Sequence, residues 1–542
     1  MKLKKITVER LIMTGLEVLS AALLSLSVPN EFFKFGLPFA GFICLVPHYI
    51  ALQKASSTRF SCFLCFVQCL LTHVFSSFWL ANFKNFAIFT LGASALATGV
   101  IHCVFGFLFY LPKKVKGTSW ISHKCFRILW FSAVYTVFEF IKCSGFLAYP
   151  WGTLPMSCYH FKYLSQIVDI TGVRGLTLIL SLSSAVCAEF ILDIIENKSL
   201  KTSFSVNKIP VFSILLLVLT ADLYGIFQYN RKRIPEKALN TILIQQNADP
   251  WIADEDATSI KISQKLTDRA ISEFTDKIKL NPDLIVWSEG ILRFPLPEGI
   301  YYYSQVPSGN PLIRSINRNN CPIIIGAPYT IDYEELKFSN SAILFGQNGE
   351  IRDHYEKIKL VPCAEYIPFT QFELVRKILK KLVGFANGWI PGTEFKCFDI
   401  PLRNEEGQSV KVSVPICFED AFGYINAGFK KQGAEVLINI TDDSWSLTKS
   451  AEYQHYVVSW FRAIEFRTTL VRSTNSGFTC VVDPAGRLRE NLPLFEENYL
   501  CARVPVYKSC MTFYLIMGEW LSYILCAFIV IFIIYSLILK KH

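Results

Sequence analysis

Residues 412–420, VSVPICFED, give the clearest indication of the fold of the larger polar region of this chain. The stretch starts as an apolar, β-branched run and stops at Cys417, which two carboxylates follow closely. Such runs are typical of buried strands in α/β folds, where reactive groups lie at the carboxyl ends of the strands. Residues 284–290, LIVWSEG, repeat the pattern and stop at Glu289. The two stretches therefore predict strands that deliver polar groups to one edge.

Similar short apolar runs recur outward from these two, between Lys237 and Tyr507. We predict strands at NTILIQQN (from Asn240), LIVWSE (Leu284), CPIIIGAPY (Cys321), SAILFG (Ser341), VKVSVPICFE (Val410), AEVLINIT (Ala434), TLVRSTN (Thr469) and FTCVVD (Phe478), with helices at Ser259–Ile278 and Ser450–Phe466. Strands that alternate with helices predict an α/β layered domain.

The rest of the chain is far more apolar. Over the whole chain of 542 residues, 52% are hydrophobic and only 18% are charged, which favours a membrane protein. Runs approaching the roughly 20 residues that cross a bilayer lie near Leu11–Val28, Phe32–Leu52, Phe60–Leu80, Phe86–Leu111, Phe126–Ile141, Leu164–Ile195, Pro210–Phe227 and Phe513–Leu539. We expect about eight membrane helices in three regions: a membrane domain at 1–230, a catalytic domain at 231–507, and a last helix with a short tail at 508–542.

The net charge of +10 reflects membrane topology better than a nucleic-acid partner, because many basic residues lie in short clusters between apolar runs. If the N-terminus is cytoplasmic, the inside segments hold these clusters, and each outside loop holds only about one lysine. An odd number of spans before residue 231 then predicts that the polar region lies on the non-cytoplasmic side of the membrane.

The cysteines fall into two groups. Seven of the 17 lie inside apolar runs, where cysteine acts as a small hydrophobe: Cys44, Cys62, Cys65, Cys69, Cys103, Cys187 and Cys526. Seven others belong to the polar region and its flank, an odd number that cannot all pair: Cys321, Cys363, Cys397, Cys417, Cys480, Cys501 and Cys510.

Residues 354–369, HYEKIKLVPCAEYIPF, supply a third polar group. Pro362 and Pro368 restrict this segment to an extended loop, in which Lys357 can hold a positive charge over a reaction centre. Each candidate alone has a plain structural interpretation, because free cysteines are commonly buried in cores and glutamates commonly lie on surfaces. The three candidates together in one chain are what indicates a catalytic site.

A glutamate after an apolar strand, then YxKxxLVPxxEYxP, then a cysteine within PxCxE resembles the nitrilase superfamily. With apolar runs before this region and one after it, the whole chain resembles the apolipoprotein N-acyltransferases. The resemblance implies an αββα sandwich and a triad of Glu289, Lys357 and Cys417.

The same resemblance implies supporting roles for Glu365, Glu419, Trp251 and Trp445. Further residues that match the family are expected to pack and hydrogen-bond in the core: Arg462, Glu465, Arg472, Thr474, Asn475 and Gly477. The chain departs from the family pattern at Phe418, where tyrosine is usual, and reads WSE for WPE, PCAE for PFGE and DDSWSL for NDAWFG.

The reaction implied by the resemblance has two steps. Cys417 takes an acyl chain from a membrane glycerophospholipid as a thioester, and the α-amino group of an N-terminal diacylglyceryl-cysteine on an apolipoprotein then receives it. This chemistry needs no cofactor and no metal, and the sequence contains no HExxH and no paired CxxC.

Two other functions fit part of the pattern. A membrane-tethered amidase of the nitrilase type shares the triad but transfers the acyl group to water. A transporter or receptor with an inactive outer domain is the second. The filled triad argues against an inactive domain, and the few ionisable residues in the apolar runs argue against transport.

Overall fold

The computed structural model describes residues 2–83, 88–115, 119–248, 256–362, 364–366, 372, 373, 377 and 388–539. The chain divides into two compact units. The helical unit comprises Met1–Arg231, Thr448–Phe461 and Ile516–His542, and the sandwich unit comprises Lys232–Leu447 and Arg462–Leu515. The segment Thr448–Phe461 thus clusters with the helical unit, although it lies within the region of the chain predicted to be catalytic.

The α-helices are α1 Lys2–Ser27, α2 Ala40–Ile43, α3 Val46–Lys54, α4 Thr58–Ser76, α5 Ser94–Tyr110, α6 Ser119–Ser122, α7 Lys124–Lys142, α8 Val168–Thr171, α9 Val173–Asn197, α10 Leu200–Asn230, α11 Ala257–Glu273, α12 Ile300–Tyr303, α13 Leu312–Asn319, α14 Gly423–Lys431, α15 Lys449–Glu465, α16 Phe513–Met517 and α17 Trp520–Leu539. The strands are β1 Lys237–Gln245, β2 Leu284–Val286, β3 Ile323–Asp332, β4 Lys337–Phe345, β5 Ile351–Glu356, β6 Cys397–Pro401, β7 Ser409–Ser413, β8 Val436–Thr441, β9 Thr469–Thr474, β10 Cys480–Val482, β11 Leu488–Asn491 and β12 Asn498–Val506.

Within the part of the chain that the structure describes, six helices are long and apolar enough to cross a membrane. They are Thr7–Ser27, Thr58–Ser76, Thr90–Lys114, Val173–Glu196, Leu200–Asn230 and Trp520–Leu539. The two other predicted spans differ from these six in physical character. Phe32–Leu52 is broken into α2 and α3, and Phe126–Ile141 lies in α7, which carries four charged side chains.

One end of the helical unit collects basic side chains, and we call it the basic end. Lys113 Nζ donates to the carbonyl oxygens of Leu52 and Gln53, at 2.9 and 2.8 Å. Lys124, at the start of α7, pairs with Asp193 near the end of α9. Tyr49 OH on α3 donates to Glu189 Oε1 on α9 at 2.5 Å, so the ends of α3, α5 and α9 and the start of α7 lie together.

The opposite end of the same unit holds the ends of α1 and α4. Gln454 Nε2 donates to the carbonyl oxygens of Pro29 and Ser76, at 2.9 and 2.8 Å. Because α1 and α4 both finish here, the chain between them must return to the basic end, and it does so through α2 and α3. The broken segment is thus a pass through the unit despite its short helices.

The other charged pass, α7, is fixed in the same way. At the end away from Lys124, Glu139 accepts a hydrogen bond from Thr177 at the start of α9 (2.8 Å), so α7 and α9 are antiparallel. The last helix, α17, starts where Trp520 Nε1 donates to Ile170 O (2.8 Å). The described helices thus make eight passes between the two ends, in agreement with the expected number.

The sandwich unit contains two six-stranded sheets, ordered β12-β1-β2-β3-β4-β5 and β11-β10-β9-β8-β7-β6. Each has a parallel centre, β1-β2-β3 and β7-β8-β9, flanked by antiparallel strands. Ser473 on β9 donates to Val286 O on β2 at 3.1 Å, so the centres of the sheets face each other. Helices α11 and α13 cover the first sheet through a buried apolar core, and α14 flanks the second.

All eight predicted strands and both predicted helices are present in the structure. Four further strands lie outside the prediction: β5, β6, β11 and β12. The burial of β5, β6 and β11 is incomplete, and they lie at or near sheet edges, so their sequences lack a continuous apolar run. Strand β12 pairs antiparallel with β1 along its whole length.

Candidate active site

The ends of four strands deliver the polar groups of the candidate site. Glu289 follows β2, Lys357 directly follows β5, and Cys417 follows β7. Asp442 directly follows β8. In the sequence, apolar runs that stop at polar side chains signal Glu289 and Cys417, and the prolines of the following loop signal Lys357.

Lys357 is the most enclosed of the three triad residues, with no exposed surface. Its Nζ donates to Glu365 Oε1 at 2.7 Å and to Glu289 Oε1 at 3.2 Å. Burial opposes the charged form of Lys357, but the carboxylates of Glu289 and Glu365 outweigh burial and raise its pKa well above the usual value. Lys357 therefore holds a fixed positive charge across the working pH range.

Glu289 is held by groups from three other elements. Its Oε1 accepts from Asn340 Nδ2 at 2.8 Å as well as from Lys357, and its Oε2 accepts from the backbone N–H of Asp442 at 3.1 Å. Gly326 on β3 packs directly against it, because a Cβ there would lie 2.5 Å from Glu289 Cα. The carboxylate consequently has one defined position.

Asn340 on β4 was not anticipated from the sequence. Its Nδ2 donates to both Glu289 Oε1 and Glu365 Oε1, each at 2.8 Å, so it bridges the two carboxylates. Glu365 also accepts from the backbone N–H of Val361 through Oε2, at 2.7 Å. Glu365 therefore contacts Lys357, Asn340 and the backbone of the lysine loop at once.

Cys417 occupies a sharp turn between a strand and a short 3₁₀ helix, Cys417–Ala421. Its φ is 47°, in the left-handed region that non-glycine residues seldom adopt, and such strain persists where the surroundings fix the backbone. Asn439 Nδ2 donates to the Cys417 carbonyl at 3.3 Å. Burial raises the pKa of the thiol well above its usual value, Glu289 raises it further, and Lys357 opposes them. The resting thiol is therefore protonated and needs a base.

Glu419 links the cysteine turn to the lysine loop. The side chain is fully buried. Its Oε1 accepts from Tyr355 OH (2.8 Å) and from the backbone N–H of Ile358 (2.8 Å), while Oε2 accepts from Ile416 N–H (2.8 Å). Burial raises the pKa of Glu419 to about 7, although these hydrogen bonds oppose the shift.

The two tryptophans stand differently. Trp445 is half-buried in the short turn Ser444–Ser446, which follows Asp442. Asn475 Nδ2 donates to Asp442 Oδ1 at 2.9 Å and so fixes the start of this turn. Trp251 lies outside the described residues, as does Cys363 in the lysine loop.

The arginines of the later motif lie in the core, as expected. Arg472 is fully buried and pairs with Asp420, three residues after the cysteine. Arg462 donates to Glu465 at 2.8 Å and to Ala421 O at 3.3 Å. Both arginines thus contact the 3₁₀ helix that starts at Cys417, through Asp420 and the Ala421 carbonyl.

Two of the departures from the family pattern lie directly beside residues of the candidate triad. Ser288, in WSE, accepts a hydrogen bond from Gln246 Nε2 at 2.6 Å, so a buried polar pair stands beside Glu289. Phe418 is buried and contacts Phe422 edge to face, with ring centroids 4.7 Å apart.

Both units match known families. Residues 20–186 match the family described as apolipoprotein N-acyltransferase N-terminal domain, and residues 258–508 match the family described as carbon-nitrogen hydrolase. Three curated relatives are named as apolipoprotein N-acyltransferases. The Treponema denticola protein "Apolipoprotein N-acyltransferase 2" is 45% identical over 97% of both chains.

The Treponema pallidum protein of the same name is 36% identical over 94% of this chain and 92% of its own. The Borreliella burgdorferi protein "Apolipoprotein N-acyltransferase" is 30% identical over 94% of this chain and 93% of its own. The chain therefore combines apolar helices with a nitrilase-like domain of two sheets, and it belongs to the apolipoprotein N-acyltransferase family.

Proposed function

We propose that this enzyme moves an acyl chain from a membrane glycerophospholipid, through a thioester on Cys417, to the α-amino group of a lipoprotein's N-terminal diacylglyceryl-cysteine. One observation carries the proposal. The buried ammonium of Lys357 is held by two carboxylates, and its charge opposes the rise in the pKa of the Cys417 thiol. That thiol is protonated at rest, and its backbone is strained. That set of groups supplies a nucleophile, a base and a fixed cation.

In the first step Glu289 removes the Sγ proton as sulfur attacks the ester carbonyl carbon. The tetrahedral oxyanion forms beside the ammonium of Lys357, and one such donor is typically worth about 3 to 4 kcal/mol. The carbon–oxygen bond then breaks, Glu289 returns the proton to the leaving oxygen, and a lysophospholipid departs. The acyl chain remains on Cys417.

The second step reverses these roles. The free amine attacks the thioester carbonyl, Glu289 accepts a proton from the attacking nitrogen, and the carbon–sulfur bond breaks. The thiolate is reprotonated from Glu289, which leaves an amide and a resting enzyme. Glu289 thus carries one proton in each direction during each step.

Glu365 and Glu419 are positioning residues in this scheme. Glu365 accepts from Lys357 at 2.7 Å and directs the ammonium, while Glu419 joins the backbone of the lysine loop to the backbone before Cys417. Both keep reacting groups in register before substrate arrives, which lowers the reorganisation needed in the transition state.

We also propose that the sandwich domain is periplasmic and that the enzyme lies in the cell inner membrane. Seven passes precede the sandwich domain, an odd number. The basic end holds Lys113 and Lys124, consistent with a cytoplasmic face under the positive-inside rule. Both substrates carry acyl chains that would cost about 0.8 kcal/mol per CH₂ to transfer into water, which favours an enzyme held by apolar helices.

The decisive assay follows an acyl-labelled phospholipid in the presence of a diacylated lipopeptide. We expect label on the lipopeptide as a hydroxylamine-stable amide, and no transfer to a control lipopeptide whose amine is acetylated. Release of free fatty acid at the same rate with both peptides would instead identify the amidase.

A further inference from the structure

A second group of reactive side chains lies buried in the helical unit, where the acyl-transfer scheme does not use it. His48 on α3, Cys65 on α4 and His102 on α5 place one nitrogen or sulfur atom each within 4.8 Å of one another. All three side chains have no exposed surface, and neither does Glu17 on α1 beside them. Four helices therefore bring ionisable groups to one interior point.

The hydrogen bonding of this group is incomplete in a specific way. Glu17 Oε2 is 2.7 Å from His48 Nδ1, which leaves His48 Nε2 directed elsewhere. Within the described residues, His48 Nε2 has no hydrogen-bond partner, and the ring nitrogens of His102 have none beyond an interaction with the backbone of Cys65. Orphaned buried nitrogens are costly, so a ligand that accepts their lone pairs is the physical expectation.

We propose that His48, Cys65 and His102 bind a zinc ion, with Glu17 orienting His48 from behind. A carboxylate that accepts from one histidine nitrogen fixes the tautomer whose other nitrogen coordinates a metal, and this is the arrangement of Glu17 and His48. One thiolate and two imidazoles are donors that suit zinc.

The spacing of the donors fits after a modest contraction. An ion at the centre of a triangle with 4.8 Å sides is about 2.8 Å from each corner, against about 2.0 to 2.3 Å for zinc bonds. Gly106 permits close approach of α4 and α5 one turn from His102, because a Cβ there would lie 2.4 Å from Cys62 Cα. Each donor atom must therefore move inward by at most about 0.5 to 0.8 Å when zinc binds.

Charge selects a divalent ion for this apolar interior. Binding converts the Cys65 thiol to a thiolate and releases its proton to solvent, so zinc, one thiolate and the Glu17 carboxylate sum to zero. A monovalent copper ion with the same groups would leave a net negative charge, which is expensive to bury. The site ties α1, α3, α4 and α5 together and is distinct from the acyl-transfer chemistry.

The test is the metal content of the full-length enzyme in phospholipid nanodiscs, after equilibration with buffered zinc. We expect about one zinc per chain, falling to under about one-tenth in Cys65→Ala and in His102→Gln. Matched controls are Cys69→Ala and His73→Gln, whose side chains are buried nearby but already bonded to Thr98 at 3.3 and 3.1 Å. Both should keep their zinc, as should Cys417→Ser, which rules out the catalytic thiol.

Cobalt exchanged into the wild-type enzyme gives a readout that does not depend on a variant folding. A thiolate-to-cobalt absorption band, displaced by zinc, is expected. Glu17→Gln should weaken zinc binding about 10- to 100-fold without changing the saturated stoichiometry. Wild-type enzyme with neither zinc nor a cobalt band, equal zinc in Cys65→Ala and Cys69→Ala, or copper in place of zinc would each overturn the proposal.

Discussion

The two units both bury ionisable groups, but those groups have different partners. In the sandwich unit, Glu289, Glu365 and Lys357 form one cluster, and each carboxylate also accepts from Asn340 and from a backbone N–H. In the helical unit, Glu189 accepts from Arg127 at 2.7 Å and from Tyr49 OH at 2.5 Å, and these two contacts join helices rather than strand ends.

Because of this difference, substitutions in the sandwich cluster should lower the rate, whereas substitutions in the helical unit should lower stability. A cluster fixed through backbone donors is held before substrate binds, so deletion of its charge removes transition-state stabilisation. The Arg127–Glu189 pair joins two helices near the basic end, so its loss should lower only the stability of the helical unit.

The largest effect is expected in the sandwich cluster. Lys357→Ala and Glu289→Gln should each lower the transfer rate roughly 10²-fold or more, because they remove the oxyanion's cation and the base. Lys357→Arg should also fail, because a planar guanidinium does not replace a compact ammonium. Single-turnover kinetics with labelled phospholipid measures this, and Lys411→Ala on β7 is the matched control. Near-normal turnover in either triad variant would remove that residue from the mechanism.

A smaller effect on stability is expected from Glu419. Because its pKa rises from 4.5 to about 7 on folding, its protonated form is favoured in the native state, and the stability it provides is full below pH 4.5. That stability is lost as pH rises through about 7, by roughly 3 kcal/mol in total. Thermal unfolding between pH 4.5 and 8 should show this slope in the wild type and in the exposed control Glu350→Gln. The same slope in Glu419→Gln would mean that another group causes it.

In the helical unit, Arg127→Gln should lower stability and leave the chemical rate intact. Removal of the guanidinium leaves Glu189 underpaired, but Arg127 is partly exposed, so a loss of about 1 to 2 kcal/mol is reasonable. Thermal unfolding of the nanodisc-embedded enzyme, with activity expressed per folded molecule, tests this. A tenfold loss of rate per folded molecule would erase the distinction between the two units.

The smallest effect is expected at Phe418, where the family usually has tyrosine. The ring is buried against Phe422, so the hydroxyl of Phe418→Tyr gains little and must find a partner. We expect a stability change within about 1 kcal/mol, the net worth of one hydrogen bond, and a rate within a few-fold of wild type. Competition assays against wild type resolve such a change, and a large gain in rate would assign the hydroxyl a catalytic role.

Local signals in the sequence mark each member of the proposed triad. Glu289 and Cys417 end apolar runs, and prolines fix the loop after Lys357. Asn340 has no such mark, because it lies within a strand and its partners are 51 and 25 residues away along the chain. Hydrogen bonds between distant segments are a property of the folded chain that no local pattern carries.

The helical unit shows the same limit. Apolar runs located the passes, including one that is broken into α2 and α3. Those runs also assigned Cys65 the role of a small hydrophobe. Its proximity to His48 and His102 depends on three different helices, so no spacing motif could signal it. The edge strands β6 and β11 escaped for a related reason, since half-exposed strands lack a continuous apolar run.

The central claim is that Cys417 carries the acyl chain between the two substrates, and intact-protein mass spectrometry tests it most directly. Enzyme incubated with phospholipid but no acceptor amine should gain the mass of one acyl chain, lose it to hydroxylamine, and show the adduct on Cys417 after peptide mapping. Addition of a diacylated lipopeptide should discharge it. An enzyme that remains unmodified, or an adduct on Cys363 of the lysine loop, would contradict the account.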